Sequence, residues 1–247
     1  LDMVLKNPLM IIIYLTVFID LIGFGMVIPI LPFYANTAPF NATPFEIGML
    51  FAVYSWMQFF FSPVLGRLSD RYGRRPILFI SILGSAVGYF VIGIAGTLTL
   101  VFVGRIIGGV TGANISTAQA YIADVTSKEN RAKGMGLFGA MFGLGFILGP
   151  ALAGILSKYG VAVPFYFAAG LSLANAVALY FILPESVNRE HHAADLAANR
   201  LVDLITSLKE KTFGSLNLLY FLLITAFSIM TYAFVLFTGF RFGYDAE

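Results

Sequence analysis

The sequence has no cysteine. Disulfides, thiolate nucleophiles and Cys-based metal sites are therefore excluded, and redox compartment cannot be inferred from cysteine usage. It is also poor in charge: Asp, Glu, Lys and Arg make up 11% of 247 residues, against about 25% in ordinary soluble domains. Too few charges remain to cover the surface of a water-soluble globule. The formal net charge of +2 excludes a strongly basic nucleic-acid binder. Only two histidines occur, His191 and His192. They sit in a polar stretch without cysteine or a further histidine nearby, which makes a solvated pair the default and a metal site improbable.

What is abundant is apolar side chain, 59% of the residues, close to the stock that seven spans of about 21 residues each would use. Runs long enough to cross a bilayer lie near 9–33, 45–66, 77–97, 99–122, 134–157, 163–183 and 216–240. At such lengths only helices satisfy their own backbone groups in lipid, so seven transmembrane helices are expected. The first run is too long for a signal peptide, carries Asp20 and lacks a small-residue cleavage site, so it reads as a retained span. Twelve of the fifteen basic residues fall in the N-terminus, 67–76, 124–133 and 184–215. The positive-inside rule assigns these segments to the cytoplasm and residues 241–247 to the other side. In the 184–215 stretch Leu201, Leu204, Ile205 and Leu208 recur at helical spacing. They fit either an amphipathic helix on the membrane surface or a solvated linker.

Charges inside the spans are few. Asp20 lies well within the first and Arg105 within the fourth. A charge at a span centre costs about 2.5–3.5 kcal/mol even on a lenient scale, so such residues usually face a cavity or a partner and mark function. The alternative is an Asp20–Arg105 ion pair that only fixes packing. On a continuous helix Arg105, Gly109, Gly112, Ser116 and Gln119 share one face, with Asn114 pointing the opposite way. Asp20 shares a stripe with Thr16, Phe24, Val27 and Leu31. Tyr54, Gln58 and Ser62 line up in the second span, and Thr225, Ser228 and Tyr232 in the seventh. These stripes fit the walls of a water-accessible pathway, and each fits helix-to-helix hydrogen bonding equally well. A carboxyl in such a place suits proton carriage, because apolar surroundings disfavour its charged form and an approaching arginine favours it. A faint repeat links the first three spans to the next three. Asp20 and Arg105 are each followed by glycines, and Ser62-Pro63-Val64-Leu65-Gly66 parallels Gly149-Pro150-Ala151-Leu152-Ala153-Gly154. Three spans repeated means inverted topology, a plan typical of secondary transporters.

Four strings carry a family resemblance. Gly66-Arg67-Leu68-Ser69-Asp70-Arg71-Tyr72-Gly73-Arg74-Arg75-Pro76 resembles the loop between the second and third helices of the major facilitator superfamily. Leu100 to Ala113, with Arg105 and Gly109, looks like that family's fourth-helix motif. The stretch from Gly145 to Gly154, including Gly149 and Pro150, looks like its fifth-helix antiporter motif, with Ala153 in place of one usual glycine. Asp20-Leu21-Ile22-Gly23-Phe24-Gly25 with Pro29 and Pro32 looks like the first-helix motif of drug–proton antiporters. Within the superfamily the sequence is most similar to the tetracycline-efflux-like group.

The resemblance implies an all-α membrane protein. It would comprise a six-helix N-terminal bundle of two inverted three-helix repeats (1–184), a cytoplasmic linker (185–215), and the first helix of a second bundle (216–247). It implies proton-coupled export of a small hydrophobic or amphipathic solute by alternating access, driven by the proton gradient with no cofactor. The partners would be the solute, protons and the lipid bilayer of a cell membrane, with the N-terminus cytoplasmic. Tyr54, Gln58, Ser116 and Gln119 would join Asp20 and Arg105 along the pathway. Asp70, Arg71, Arg74, Arg75 and Asp124 would form a charged gating cluster. The tetracycline exporters carry an acid in the third span just before a Tyr, where this chain has Gly88-Tyr89, so a solute other than tetracycline is implied. It further implies a fragment of a twelve-span protein, lacking about five spans and inactive alone. The alternatives are a metabolite symporter or facilitator of the same superfamily, or a non-transporting membrane scaffold or receptor. The spans hold no metal-ligand cluster and no Ser/His/Asp arrangement, so an enzyme is not expected.

Overall fold

Every bilayer-length apolar run becomes a helix. A computed structural model of the chain describes residues 8–37, 39–186 and 211–242. Its helices are α1 (Pro8–Asn36), α2 (Pro44–Tyr72), α3 (Arg74–Gly93), α4 (Leu98–Val110), α5 (Asn114–Val125), α6 (Arg131–Ser157), α7 (Val163–Ile182) and α8 (Lys211–Phe242). Among the described residues seven spans are long and apolar enough to cross a membrane, the fourth being α4 and α5 together. The chain divides into two compact units, one holding α1–α7 and the other α8. Leu201, Leu204, Ile205 and Leu208, expected on an amphipathic helix or a linker, and both histidines fall outside the described residues.

Two boundaries differ from the apolar runs. The second helix does not stop near 66 but continues to Tyr72, because Arg67 to Tyr72 contains no residue that breaks a helix. The expected loop is in fact one residue, Gly73, at φ 113° and ψ 156°. This is backbone that only glycine adopts without strain. The fourth span is broken at Thr111-Gly112-Ala113. With no proline there, the break comes from tertiary partners: Gln58 Nε2 donates to the Gly112 carbonyl at 2.8 Å, satisfying an oxygen that the helix has released. The break also re-aims the span, so Arg105 and Ser116 do not share a face as a continuous helix would require. Arg105 is buried whereas Ser116 is exposed.

In a bilayer, lipid tails compete equally for apolar side chains, so helices associate through close packing of small residues. The α1/α6 contact shows this. A Cβ on Gly149 would lie 2.7 Å from the Gly25 carbonyl carbon, and one on Gly25 would lie 3.0 Å from the Gly145 oxygen. At the α3/α4 contact, a Cβ on Gly88 would lie 2.9 Å from the Gly104 oxygen. Major contacts join α1 to α6 and α7, α3 to α4 and α7, and α2 to α4. Exchanging spans one with four, two with five and three with six maps this set onto itself. The inverted repeat suggested by faint sequence similarity is therefore present in the packing.

The ends of the bundle are tied by polar groups. At one end Tyr34 donates to the Ile92 carbonyl at 2.8 Å, and Tyr166 to that of Gly93 at 2.6 Å, so α1 and α7 both cap the last turn of α3. Beside them Thr43 and Glu46 form a capping box on α2. Toward the other end Tyr14, Leu78, Tyr121, Ile122, Phe138 and Leu179 belong to one buried cluster.

Candidate functional site

Asp20 sits mid-way along α1 and is 5% exposed. Its carboxylate Oδ2 accepts a hydrogen bond from Asn114 Nδ2, at the first residue of α5. Asn114 also accepts from the Ile115 amide at 2.9 Å through its own side-chain oxygen. The break in the fourth span is what turns Asn114 toward α1; a continuous helix would have pointed it away. The carboxylate thus bonds the side chain of a helix segment's first residue, at the end whose dipole favours negative charge. The other carboxylate oxygen, Oδ1, is buried without a hydrogen-bond partner among the described residues.

Arg105, 3% exposed, turns toward α2. Its Nε donates to the Leu50 carbonyl at 3.1 Å, and its guanidinium lies 4.2 Å from the centre of the Tyr54 ring and 5.6 Å from that of Phe51. Asp20 and Arg105 thus do not form the ion pair that was one expectation. Arginine suits this position because a flat, weakly hydrated cation stacks on aromatic faces. Leu50, Tyr54 and Gln58, one turn apart on α2, meet Arg105, Gly109 and Gly112 on the fourth span. The Tyr54–Gln58 stripe is therefore engaged, at least in part, in helix-to-helix contact. Gln119 is half-buried. Phe24 lies 5.9 Å from Tyr54 and 6.0 Å from Phe146, ring centre to ring centre, joining α1, α2 and α6 in one aromatic patch.

At the end of the bundle opposite the tyrosine caps, Arg74 gathers the expected cluster. Its Nη1 donates to Asp70 Oδ1 at 2.5 Å and to Ser69 Oγ at 2.7 Å, and its Nε to Asp124 Oδ2 at 3.0 Å. The last turn of α2, the first of α3 and the last of α5 are so joined through one nearly buried guanidinium. Arg71 and Arg75 are not among Arg74's partners. Arg71 lies over the Tyr72 ring at 5.3 Å, and Arg75 lies over that of Tyr180 at 5.1 Å while donating to the Tyr180 carbonyl.

Sequence reasoning missed a further member. Glu185, just beyond α7, accepts from the Arg74 amide at 2.8 Å and the Arg75 amide at 3.2 Å, capping α3 with a negative charge where its dipole favours one. Ser186 Oγ donates to Asp124 at 3.3 Å, and Tyr121 donates to the Pro184 carbonyl at 3.2 Å. A Cβ at position 73 would collide with the Glu185 carboxylate. The glycine of the motif thus serves both backbone conformation and this carboxylate. An acid in Pro184-Glu185-Ser186 was the available signal.

In the antiporter-like motif, Gly145 and Gly149 face α1 at Leu21 and Gly25, whereas a Cβ on Gly154 would meet nothing within 4 Å. Pro150 lies inside α6 and is exposed, and Ala153 is buried in line with the two packed glycines.

Among the described residues, seven spans of bilayer length, a bundle with an internal two-fold relation, and a buried carboxylate at a broken span define a polytopic membrane protein built on the plan of secondary transporters. The chain belongs to the major facilitator superfamily: the family model described as Major Facilitator Superfamily matches residues 13–247. It is 38% identical over 247 residues to the tetracycline resistance protein, class H, of Pasteurella multocida, covering 97% of this chain and 60% of that protein. It is 30% identical to multidrug resistance protein 2 of Bacillus subtilis (strain 168), covering 98% of this chain and 61% of that protein. The crystal structure of the human organic anion transporter MFSD10 (TETRAN) matches with a TM-score of 0.74 at 25% identity, over 97% of this chain and 67% of that one. The chain thus spans about 60% of the length of these curated relatives. Its family is one of transporters, not enzymes.

Proposed function

We propose that the gene product is a proton-coupled antiporter that exports a small hydrophobic or amphipathic solute by alternating access. It would work in a cell membrane, bacterial inner membrane by analogy with its relatives, with the N-terminus cytoplasmic. The observation that carries this reading is Asp20: a mid-span carboxylate, nearly fully buried, held on one oxygen by Asn114 and unpartnered on the other. A group so placed can take up or release a proton when water access changes, and the proton gradient then drives the cycle without any cofactor. The relatives' names, tetracycline and multidrug resistance proteins, support solute export. Gly88, packed on the backbone of Gly104 and Gly108, leaves no room for the acid that tetracycline exporters carry there. This favours a different amphipathic solute.

The Asp70–Arg74–Asp124 cluster is read as the latch of one access state, a partly buried ion network that docking or protonation can bias. The working unit in this reading is the six-span bundle (1–184) joined through 185–215 to a second bundle that 216–247 begins. The test is efflux of a cationic dye panel by the full-length gene product under an imposed pH gradient. Proton-driven efflux that Asp20→Asn abolishes is expected; efflux that Asp20→Asn leaves unchanged would remove the carboxyl from the mechanism.

A further inference from the structure

Between α1, α3 and α5 lies a small cavity lined by Thr16, Asp20 and Asn114 together with apolar side chains of the three helices, with about 10 Å³ open to the centre of a water molecule. That is room for one water, and Thr16, Asp20 and Asn114 supply the two or more polar partners a buried water needs. The rest of the lining is apolar, so a larger hydrated ion is excluded by size and by lack of ligands. The cavity lies on a definite side of Asp20. Thr16 and Val17 precede it on α1, Leu78 and Ile82 belong to the first half of α3, and Ile115 and Ala118 follow Asn114 on α5. All of these lead from Asp20 toward the end of the bundle that carries Asp70, Arg74 and Asp124.

We propose that this cavity is a hydration site through which Asp20 exchanges its proton with that end of the bundle, and that Asn114 is a positioning residue for the exchange. The inference rests on the antiport reading above and adds a route and a residue to it. The step balances simply: the proton of the Asp20 carboxyl passes to the water oxygen, and the carboxylate left behind keeps its hydrogen bond from Asn114 Nδ2. The break in the fourth span is what makes this possible, because it brings a neutral donor, Asn114 Nδ2, to the carboxylate, while the Ile115 amide holds the Asn114 side chain through its oxygen. Titratable groups on the surrounding helices are Tyr89 of α3, within electrostatic reach of Asp20, Tyr54 and Arg105, with Arg105 itself on α4 and Tyr54 on α2. From α5 and α7 come the neutral Asn114, Ser172 and Asn175, the last donating to the Thr16 carbonyl at 2.9 Å. From α6 comes Gly145 beside Leu21.

The experiment uses the full-length gene product in membrane vesicles and compares Asn114→Ala, Ala118→Val and Asp20→Asn. Ala118 is 1% exposed and forms part of the apolar lining, so Ala118→Val enlarges that wall by two methyl groups while keeping every polar residue of the site. Proton-driven transport is read as a ratio to exchange of labelled substrate, which moves no net proton and reports that each variant is folded. The ratio should fall about tenfold or more in Asn114→Ala and in Ala118→Val, the scale that lost positioning reaches. Asn114→Ala should also move the infrared carboxyl band that Asp20→Asn removes, a change that a purely structural role would not produce. If Asp20→Asn lowers the ratio while both other variants keep it and the band stays in place, the hydration route is refuted and the carboxyl reading survives. If Asp20→Asn itself keeps the ratio, the antiport reading fails. Transport driven by a sodium gradient at constant pH and lost in Asn114→Ala would assign the site to sodium and overturn the water.

Discussion

The glycines of α6 offer a test in which one helix carries its own controls. Gly149→Ala puts a methyl 2.7, 2.8 and 2.9 Å from the Gly25 carbonyl carbon, the Gly25 Cα and the Met26 nitrogen. All three are backbone atoms of α1, so no side chain can swing aside. Ordinary contact begins at 3.4 Å, so the helices must part by about 0.7 Å. Overpacking of this kind costs about 1–3 kcal/mol, and with three backbone contacts the upper half, about 2–3 kcal/mol, applies. Gly139→Ala and Gly154→Ala meet nothing within 4 Å and keep only the gain in helix propensity, about 1 kcal/mol. That gain is common to all three variants and cancels in the comparison. Gly149→Ala should therefore melt below Gly154→Ala by about 4–12 °C, at about 2–4 °C per kcal/mol for a chain of this size. Thermal unfolding of the detergent-purified protein, followed by loss of the monodisperse peak, measures it. Gly149→Ala melting together with or above Gly154→Ala would refute the backbone contact between α1 and α6.

Two further outcomes follow from the charged end of the bundle. Asp70→Asn in the full-length protein should shift the balance between inward and outward access without abolishing substrate binding. Single cysteines introduced at that end, into a chain that has none, should change their labelling rate, and unchanged rates count against the latch. Gly73→Ala should cost about 1–3 kcal/mol from its backbone conformation alone, and more while Glu185 occupies the space of the new methyl. In thermal unfolding, the penalty should thus be smaller in a Glu185→Ala background than in the native one, and equal penalties would separate Gly73 from the carboxylate.

The spans were legible in the sequence because bilayer thickness dictates the length of an apolar run. Asp20 and Arg105 were legible because a charge in such a run is costly. Less accessible was anything decided by contacts between helices. Periodicity assumes an unbroken helix, and the fourth span is broken by partners on α2 and α1 that no local pattern announces. Asn114 was accordingly assigned to the wrong face, and Ser116 was grouped with Arg105. The charged segment after span two was expected to be a loop, since apolar content ends near 66, yet polar residues continue the helix to Tyr72. Glu185 escaped because its partners are backbone amides more than a hundred positions away.

The broken span also bears on how the protein is made. Its pieces have 13 and 12 residues, about 20 and 18 Å of helix, and neither can cross about 30 Å of hydrocarbon alone. They cross it only together, and the Gly112 carbonyl released between them is satisfied by Gln58 of α2 while the Asn114 side chain is held by Asp20 of α1. The order of the chain thus places both helices that hold the break, α1 with Asp20 and α2 with Gln58, ahead of the span they hold.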